Sequence, residues 1–251
     1  MTVLLIDIGN TNTAIAFLKG NSIKKRYFIS TSKKRVRPRS LARLLGKRRK
    51  DIEEVLIVSV VPDFYDILTA SLKKVIPGAR IRTVGKEVKV PMKVDYDSPA
   101  QVGQDRLVTA FSAYRLRKGP VLVIDFGTAV TFDIVLSAGV YEGGLIFPGI
   151  RLGLSALTEN TALLPKTALK TVQQGLFGKN TRDSMNMGII LGYAALCDGI
   201  IDRFREAYGA KLKIVITGGD AALVERHSRC ILKKDIQPDL IFRGLKLLSE
   251  L

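Results

Sequence analysis

The sequence predicts an α/β protein built from two copies of one domain. Three observations carry that prediction. Val3–Phe17 (VLLIDIGNTNTAIAF) and Val121–Leu136 (VLVIDFGTAVTFDIVL) share one plan: an apolar run, an Asp, a Gly among small residues, then a second apolar run. At a fixed offset of 118 residues, Val3, Leu4, Ile6, Asp7, Gly9, Thr13 and Leu18 meet Val121, Leu122, Ile124, Asp125, Gly127, Thr131 and Leu136. Each copy is followed by a hairpin-type turn, Lys19-Gly20-Asn21 and Ser137-Ala138-Gly139. Continuous apolar runs bounded by turn signals read as strands buried on both faces. The spacing is too long for a solenoid period, so it signals domain duplication.

The elements follow in order. In the first domain, 1–117, the Val3 strand and Ala14–Leu18 lead to a return strand over Ile23–Ser30 and a short helix over Ser40–Gly46. Val55–Val61 is a further buried strand, and Asp63 is placed to cap a helix over Phe64–Val75 in which Ile67, Leu68, Leu72 and Val75 are periodic. Ala79–Val84 is a short strand. Lys86–Gln101, interrupted by Pro91 and Pro99, is a long loop with a short strand expected at Val88–Val90. Loops of that length in compact domains are often functional. A helix follows over Leu107–Leu116, and Arg117-Lys118-Gly119-Pro120 is the linker.

The second domain, 118–251, repeats strand, turn and strand. A strand from Tyr141 ends at Pro148-Gly149 before a helix over Leu152–Leu163, and Lys166–Gly178 is irregular. Asn180 or Thr181 caps a long helix to Ala207. Gly188, Gly192 and Gly199 lie inside it, each costing about 1 kcal/mol of propensity against Ala, so close packing or a ligand is expected to compensate. Lys213–Thr217 is a strand stopped by Gly218-Gly219-Asp220, Ile231-Leu232 is a short strand, and Asp239–Leu251 is the closing helix.

Composition excludes several classes. Apolar residues make up 47% of the 251, enough for two buried cores and too many for a disordered chain. No apolar run approaches the roughly 20 residues a bilayer span needs, and the N-terminus enters a strand with no basic leader, so no membrane partner or secretory route is expected. Cys197 and Cys230, each beside apolar residues, read as reduced buried thiols. These features predict a cytoplasmic protein. The net charge is +17, and Lys19–Lys50 holds 14 basic residues and no acidic one. With only Tyr27 and Phe28 as aromatics and no nucleic-acid-binding signature, the segment reads as a solvated basic face that steers anions rather than a nucleic-acid site.

Chemistry concentrates at four places. The two Asp-x-Gly turns suit a triphosphate in a cleft between the domains. Small residues let backbone N–H groups approach, the hydroxyls of Thr11, Thr13, Thr128 and Thr131 can donate, and carboxylates hold a cation. One such turn is more often a plain Asx turn, but two copies at matching positions weaken that reading. Gly218-Gly219 opens a helix and offers a phosphate or base a wall, although Gly pairs also end strands for steric reasons. In Gly103-Gln104-Asp105-Arg106, Asp105 can take a proton from a hydroxyl and Arg106 can bind an anion. The alternative there is a capping Asp with a surface Arg.

Together these residues resemble the type III pantothenate kinases of the actin, sugar-kinase and Hsp70 superfamily. The resemblance spans essentially the whole chain. It rests on Asp7-Ile8-Gly9-Asn10-Thr11-Asn12, Gly103–Arg106, Asp125-Phe126-Gly127-Thr128-Ala129-Val130-Thr131, Gly143-Gly144, Pro148-Gly149, Asn180-Thr181 and Gly218-Gly219 in that order. It implies two ribonuclease-H-like (actin-like ATPase) domains around a central interdomain cleft and ATP-dependent phosphorylation of pantothenate. By resemblance, Asp7, Ile8, Gly9, Asn10, Thr11, Asn12, Thr13 and Ala14 cradle the ATP phosphates, with Asp7 on the Mg²⁺ side. Thr128 touches ATP, Gly218 and Gly219 form the nucleotide-side wall, and Asp125 helps bind a monovalent cation, K⁺ or NH₄⁺. Tyr96, Gly103, Gln104, Asp105, Arg106 and Thr181 hold pantothenate, Asp105 is the proton acceptor, and the chain is a homodimer. Thr109 stands where the family pattern has Asn, Val130 where Thr is frequent, and Gln104 where Ala is common. Other readings within reach of the sequence are a non-catalytic nucleotide-binding regulator and a kinase of another small hydroxyl acceptor.

Overall fold

The computed structural model describes residues 2–32, 35–170 and 175–251, with only the backbone of Lys25. Parts of two expectations, the basic run at 33–34 and the irregular segment at 171–174, lie outside the described residues.

The chain forms two compact units. The first contains residues up to Met92, Asp97–Ser112 and Asp239–Leu251; the second contains Lys93–Tyr96 and Ala113–Pro238. They are not the linear pieces 1–117 and 118–251, because the closing helix belongs to the first unit and a short strand before residue 97 belongs to the second.

In the first unit, β1 (Thr2–Ile8), β2 (Asn12–Lys19), β3 (Ser22–Ser30), β4 (Ile52–Ser59) and β5 (Arg80–Thr83) form a sheet of order β3-β2-β1-β4-β5. β1, β2 and β3 run as an antiparallel meander; β4 lies parallel to β1, and β5 parallel to β4. Alternate residues of β1 enter two different cores, as the unbroken apolar run requires. Leu4, Ile6 and Ile8 pack with α1 (Pro38–Leu45) and α2 (Pro62–Val75) through Leu41, Phe64, Leu68 and Leu72. Val3 and Leu5 pack with α3 (Gln104–Arg117) and α7 (Leu240–Ser249) through Val108, Phe242, Leu245 and Leu248. α2 begins at Pro62 with Val61 as N-cap and no side-chain cap, so Asp63 sits in its first turn and does not cap it. Proline is suited to that first position, where its missing N–H is not needed.

In the second unit, β6 (Lys93–Val94), β7 (Val121–Phe126), β8 (Ala129–Val135), β9 (Val140–Pro148) and β10 (Lys213–Thr217) form a sheet of order β10-β7-β8-β9-β6. Its β9-β8-β7-β10 part repeats the β3-β2-β1-β4 topology, directions included. The long loop contributes β6, which pairs with β9; the strand is not at Val88–Val90, where only an isolated Val84–Val88 bridge forms. No strand forms at Ile231-Leu232; the chain instead bridges Ile216 to Ile236. α4 (Ile150–Glu159) stops before Leu163, and α6 (Ala221–Glu225) is one short turn of helix.

α5 (Thr181–Tyr208) is capped by Asn180, whose side chain accepts from the Asp183 N–H at 3.0 Å. It is long and apolar enough to cross a membrane by length and composition, although no continuous apolar run in it approaches that length. Half of that apolar window is buried inside the protein, where Ala194, Cys197, Ile200 and Ile201 join the core of β7, β8 and β10. Among the described residues, Gly188, Gly192 and Gly199 have nothing within 4 Å of where a Cβ would stand, so no close packing there compensates them. Cys197 is buried and Cys230 half-buried, and both are free thiols. Burial, followed by the neighbouring Asp198 carboxylate, pushes the Cys197 thiol up to about 12, which leaves it unreactive.

Candidate active site

In the first unit Asp7 interrupts the apolar run of β1 one residue before the strand ends, half-buried opposite Ala14 on β2. The turn between is closed by the Gly9 N–H donating to the Asn12 carbonyl at 3.1 Å, and the Thr31 N–H pins the Thr11 carbonyl at 3.0 Å. Asn10, Thr11 and Asn12 are exposed. Ile8 and Ala14 are buried wall. Thr13 departs from expectation. It is fully buried and its hydroxyl bonds that of Thr31 at 3.0 Å, so it braces the turn from within and offers no side-chain donor on the exposed side.

The same unit presents Gly103–Arg106 at the start of α3. Asp105 folds back so far that a Cβ on Gly103 would lie 2.5 Å from its Oδ1, and the Arg106 N–H donates to that oxygen at 2.8 Å. Gly103 is therefore required for the carboxylate's position. The Gln104 side chain lies over Gly85, whose φ of +87° and 2.9 Å clearance exclude a side chain there. Gln104 thus fills space against a loop glycine.

The second unit builds its turn differently. Asp125 pairs with Thr131, and Phe126 with Val130, whereas Asp7 pairs with Ala14 and Ile8 with Thr13. The second turn is one residue shorter, so the structural counterpart of Thr13 is Val130, not Thr131, and the fixed offset fails beyond the glycine. Thr131 also turns its hydroxyl to Asp133 Oδ2 at 3.0 Å, spending its proton there and not on an incoming oxygen. Gly127 and Thr128 are exposed, and the Asp125 carboxylate lies against Gly127, with Oδ1 3.3 Å from where a Cβ would be.

Two more glycines converge on this turn. A Cβ on Gly149 would fall 2.1 Å from the Thr128 carbonyl oxygen, and one on Gly218 (φ +93°) 2.4 Å from the Phe126 carbonyl carbon. Gly218 thus has a steric reason of its own, while Gly219 is exposed and faces open space. Sequence reasoning missed the clasp that joins these segments: Arg151, the second residue of α4, donates from Nε and Nη2 to Asp220 at 3.1 and 2.8 Å. Paired bonds of this kind fix geometry as well as charge. Only the position of an Arg two residues after Pro148-Gly149 could have hinted at it.

Tyr96 is 40% exposed, with its ring seated 3.6 Å from the Cβ position of Gly143 (φ +139°). Thr181 is the exposed first residue of α5, beside the Asn180–Asp183 cap. The structure therefore puts Asp7–Ala14 and Gly103–Arg106 in the first unit, and Tyr96, Asp125, Thr128, Thr181, Gly218 and Gly219 in the second.

Among the described residues no three His, Cys, Asp or Glu side chains converge as a metal cage. The donors present are single carboxylates among hydroxyl and carbonyl oxygens. That set fits Mg²⁺, which is held by one or two carboxylates plus substrate phosphates and water. It also fits a monovalent cation at Asp125, where one carboxylate stands opposite a hydroxyl oxygen. A groove of about 590 Å³ near Arg35, Arg37, Leu41 and Leu44 contains none of these residues and belongs to the basic segment.

Fold and turns define the class: an α/β protein of duplicated ribonuclease-H-like domains, the actin-like ATPase fold. Solved structures agree on that fold alone. A Baf-family transcriptional activator from Campylobacter jejuni superposes with a TM-score of 0.58 at 22% identity over 98% of this chain and 97% of that one. The ethanolamine utilization protein EutJ from Carboxydothermus hydrogenoformans gives 0.54 at 15% over 99% and 90%. The particular family comes from sequence. The model of the type III pantothenate kinases matches residues 3–203. A type III pantothenate kinase of Rhizorhabdus wittichii is 37% identical over 99% of this chain and 97% of its own, and one of Moorella thermoacetica 35% over 99% and 98%. The chain belongs to the type III pantothenate kinase family.

Proposed function

We propose that the chain transfers the γ-phosphoryl group of ATP to the primary hydroxyl of pantothenate, giving 4′-phosphopantothenate in the first step of coenzyme A biosynthesis. Family membership supports the reaction. The observation that carries the mechanism is the braced carboxylate of Asp105, tied to the next N–H over a glycine that leaves it room. The hydroxyl oxygen bonds to the γ-phosphorus, the bridging P–O bond to ADP breaks, and the hydroxyl proton passes to Asp105. Arg106 and Thr181 hold pantothenate, its carboxylate at Arg106, and Tyr96 supplies an apolar wall. Asp7 to Ala14 hold the phosphates through backbone and the exposed Asn10, Thr11 and Asn12, with Thr128 and Gly219 also on the nucleotide. Asp7 would hold Mg²⁺ and Asp125 a monovalent cation, K⁺ or NH₄⁺. Bound there, the cations supply positive charge against the phosphates. Phosphoryl transfer needs such positioning more than covalent chemistry. We also assign a cytoplasmic homodimer without nucleic-acid partners.

ADP release measured with and without pantothenate, and with and without K⁺, tests this. Release that requires both is expected. Release that ignores pantothenate points to another acceptor, and no release with intact nucleotide binding points to a regulatory relative.

A further inference from the structure

One side-chain network in the second unit is unused by the chemistry above. Asp133, in the middle of β8, is 2% exposed. Its two oxygens are each held by a donor: Oδ1 by the hydroxyl of the fully buried Tyr141 at 2.6 Å, and Oδ2 by the hydroxyl of Thr131 at 3.0 Å. The register puts Thr131 directly opposite Asp125. Residues so paired project from one face of the sheet about 5 Å apart. The other face of these strands, with Ile124, Phe126, Val130 and Phe132, lies in the hydrophobic core.

A threonine hydroxyl has one proton and two lone pairs, and an ionised carboxylate only accepts. The bond to Asp133 therefore consumes the Thr131 proton and leaves its oxygen able only to accept. A phosphate oxygen, also an acceptor, gains nothing from it; a cation does. We propose that Asp133 is a positioning residue which, through Thr131, presents a neutral oxygen ligand beside the Asp125 carboxylate and so completes the monovalent-cation site. Tyr141, by holding the other oxygen, keeps Asp133 from rotating away. The proposal rests on reading Asp125 as the cation residue.

The test follows the melting temperature of the full chain against KCl at constant ionic strength, with tetramethylammonium chloride as replacement, ATP present and pantothenate left out. Binding to the native state alone raises the melting temperature, so the KCl midpoint reports affinity without turnover. Asp133→Asn keeps the shape, but its amide can donate into Thr131 and occupy the lone pair. Asp133→Asn and Thr131→Val are expected to raise the midpoint roughly 10- to 100-fold, the scale for lost outer-shell partners. Thr131→Ser should restore it. If Asp133→Asn does not fold, the Thr131 pair decides. Wild-type midpoints in Asp133→Asn or Thr131→Val, with the K⁺ response abolished in Asp125→Asn, overturn the proposal and leave Asp125 standing. A wild-type midpoint in Asp125→Asn, or no K⁺ response in the wild type, removes the Asp125 reading and this proposal with it.

Discussion

Gly149 lies so close to the Thr128 carbonyl oxygen that a Cβ would come within 2.1 Å of backbone that cannot yield without moving the turn. Gly149→Ala should therefore cost about 1–3 kcal/mol, the usual scale of overpacking, and weaken ATP binding with it. Urea unfolding and nucleotide titration read the two effects. Gly188, exposed in α5 with open space around it, should behave oppositely: Gly188→Ala gains about 1 kcal/mol of helix propensity. A loss of stability there would mean that another chain covers that face. Both glycines look alike in sequence; what separates them is a tertiary distance. The same holds for Thr13 and Thr131. Residue type named them as donors, but only the structure shows that the Thr13 hydroxyl is buried against that of Thr31 and that the Thr131 proton goes to Asp133. Asp7, Asp105 and Asp125 stand out in the sequence as candidates because a carboxylate ending an apolar run, or opening a helix beside a glycine, is already unusual locally.

At the scale of elements, α5 is tied to the segment after α6 by Asp198. Its carboxylate accepts from the Ser228 hydroxyl, and from the N–H groups of Arg229 at 2.9 Å and Cys230 at 3.0 Å. Burial alone would raise this carboxyl, but the bonds from Arg229, Ser228 and Cys230 outweigh it, and the group titrates below its ordinary value. A lowered folded pKa means that the stabilisation is complete above the unfolded value of about 3.9 and fades as pH falls through the folded one. Asp198→Asn should cost about 1–3 kcal/mol at pH 7, with the difference from wild type shrinking as pH drops below about 4. Urea unfolding at pH 7 and pH 3 checks this; an unchanged difference would remove the clasp from the stability of α5. The element types themselves were legible, since apolar runs and helical periodicity are local. Their partners were not: the periodicity of Asp239–Leu251 specifies a helix, but only the second apolar face of β1 and β4, which α7 buries, explains why Phe242, Leu245 and Leu248 close the first unit.

For the whole molecule, duplication was legible because the repeated turn carries its own chemistry, while the one-residue difference in turn length was hidden by a single fixed offset. The charge of +17 gives a further expectation. Some of the basic segment is engaged locally, Arg48 over the Phe17 ring and Arg26 with Asp239. Arg35, Arg37, Arg39 and Arg43 are exposed. Without base-reading elements, binding to random duplex DNA should be non-specific and fall steeply between about 50 and 200 mM salt. A fluorescence titration at both concentrations checks it, and salt-resistant binding would restore nucleic acid as a partner.

Formation of 4′-phosphopantothenate, followed for the wild type and Asp105→Asn under saturating ATP, Mg²⁺ and K⁺, reaches furthest into the proposed mechanism. A variant that keeps its circular dichroism spectrum and substrate binding but turns over about 10²-fold or more slower is the expected result, the scale of a lost general base. Turnover at the wild-type rate would take Asp105 out of the chemistry.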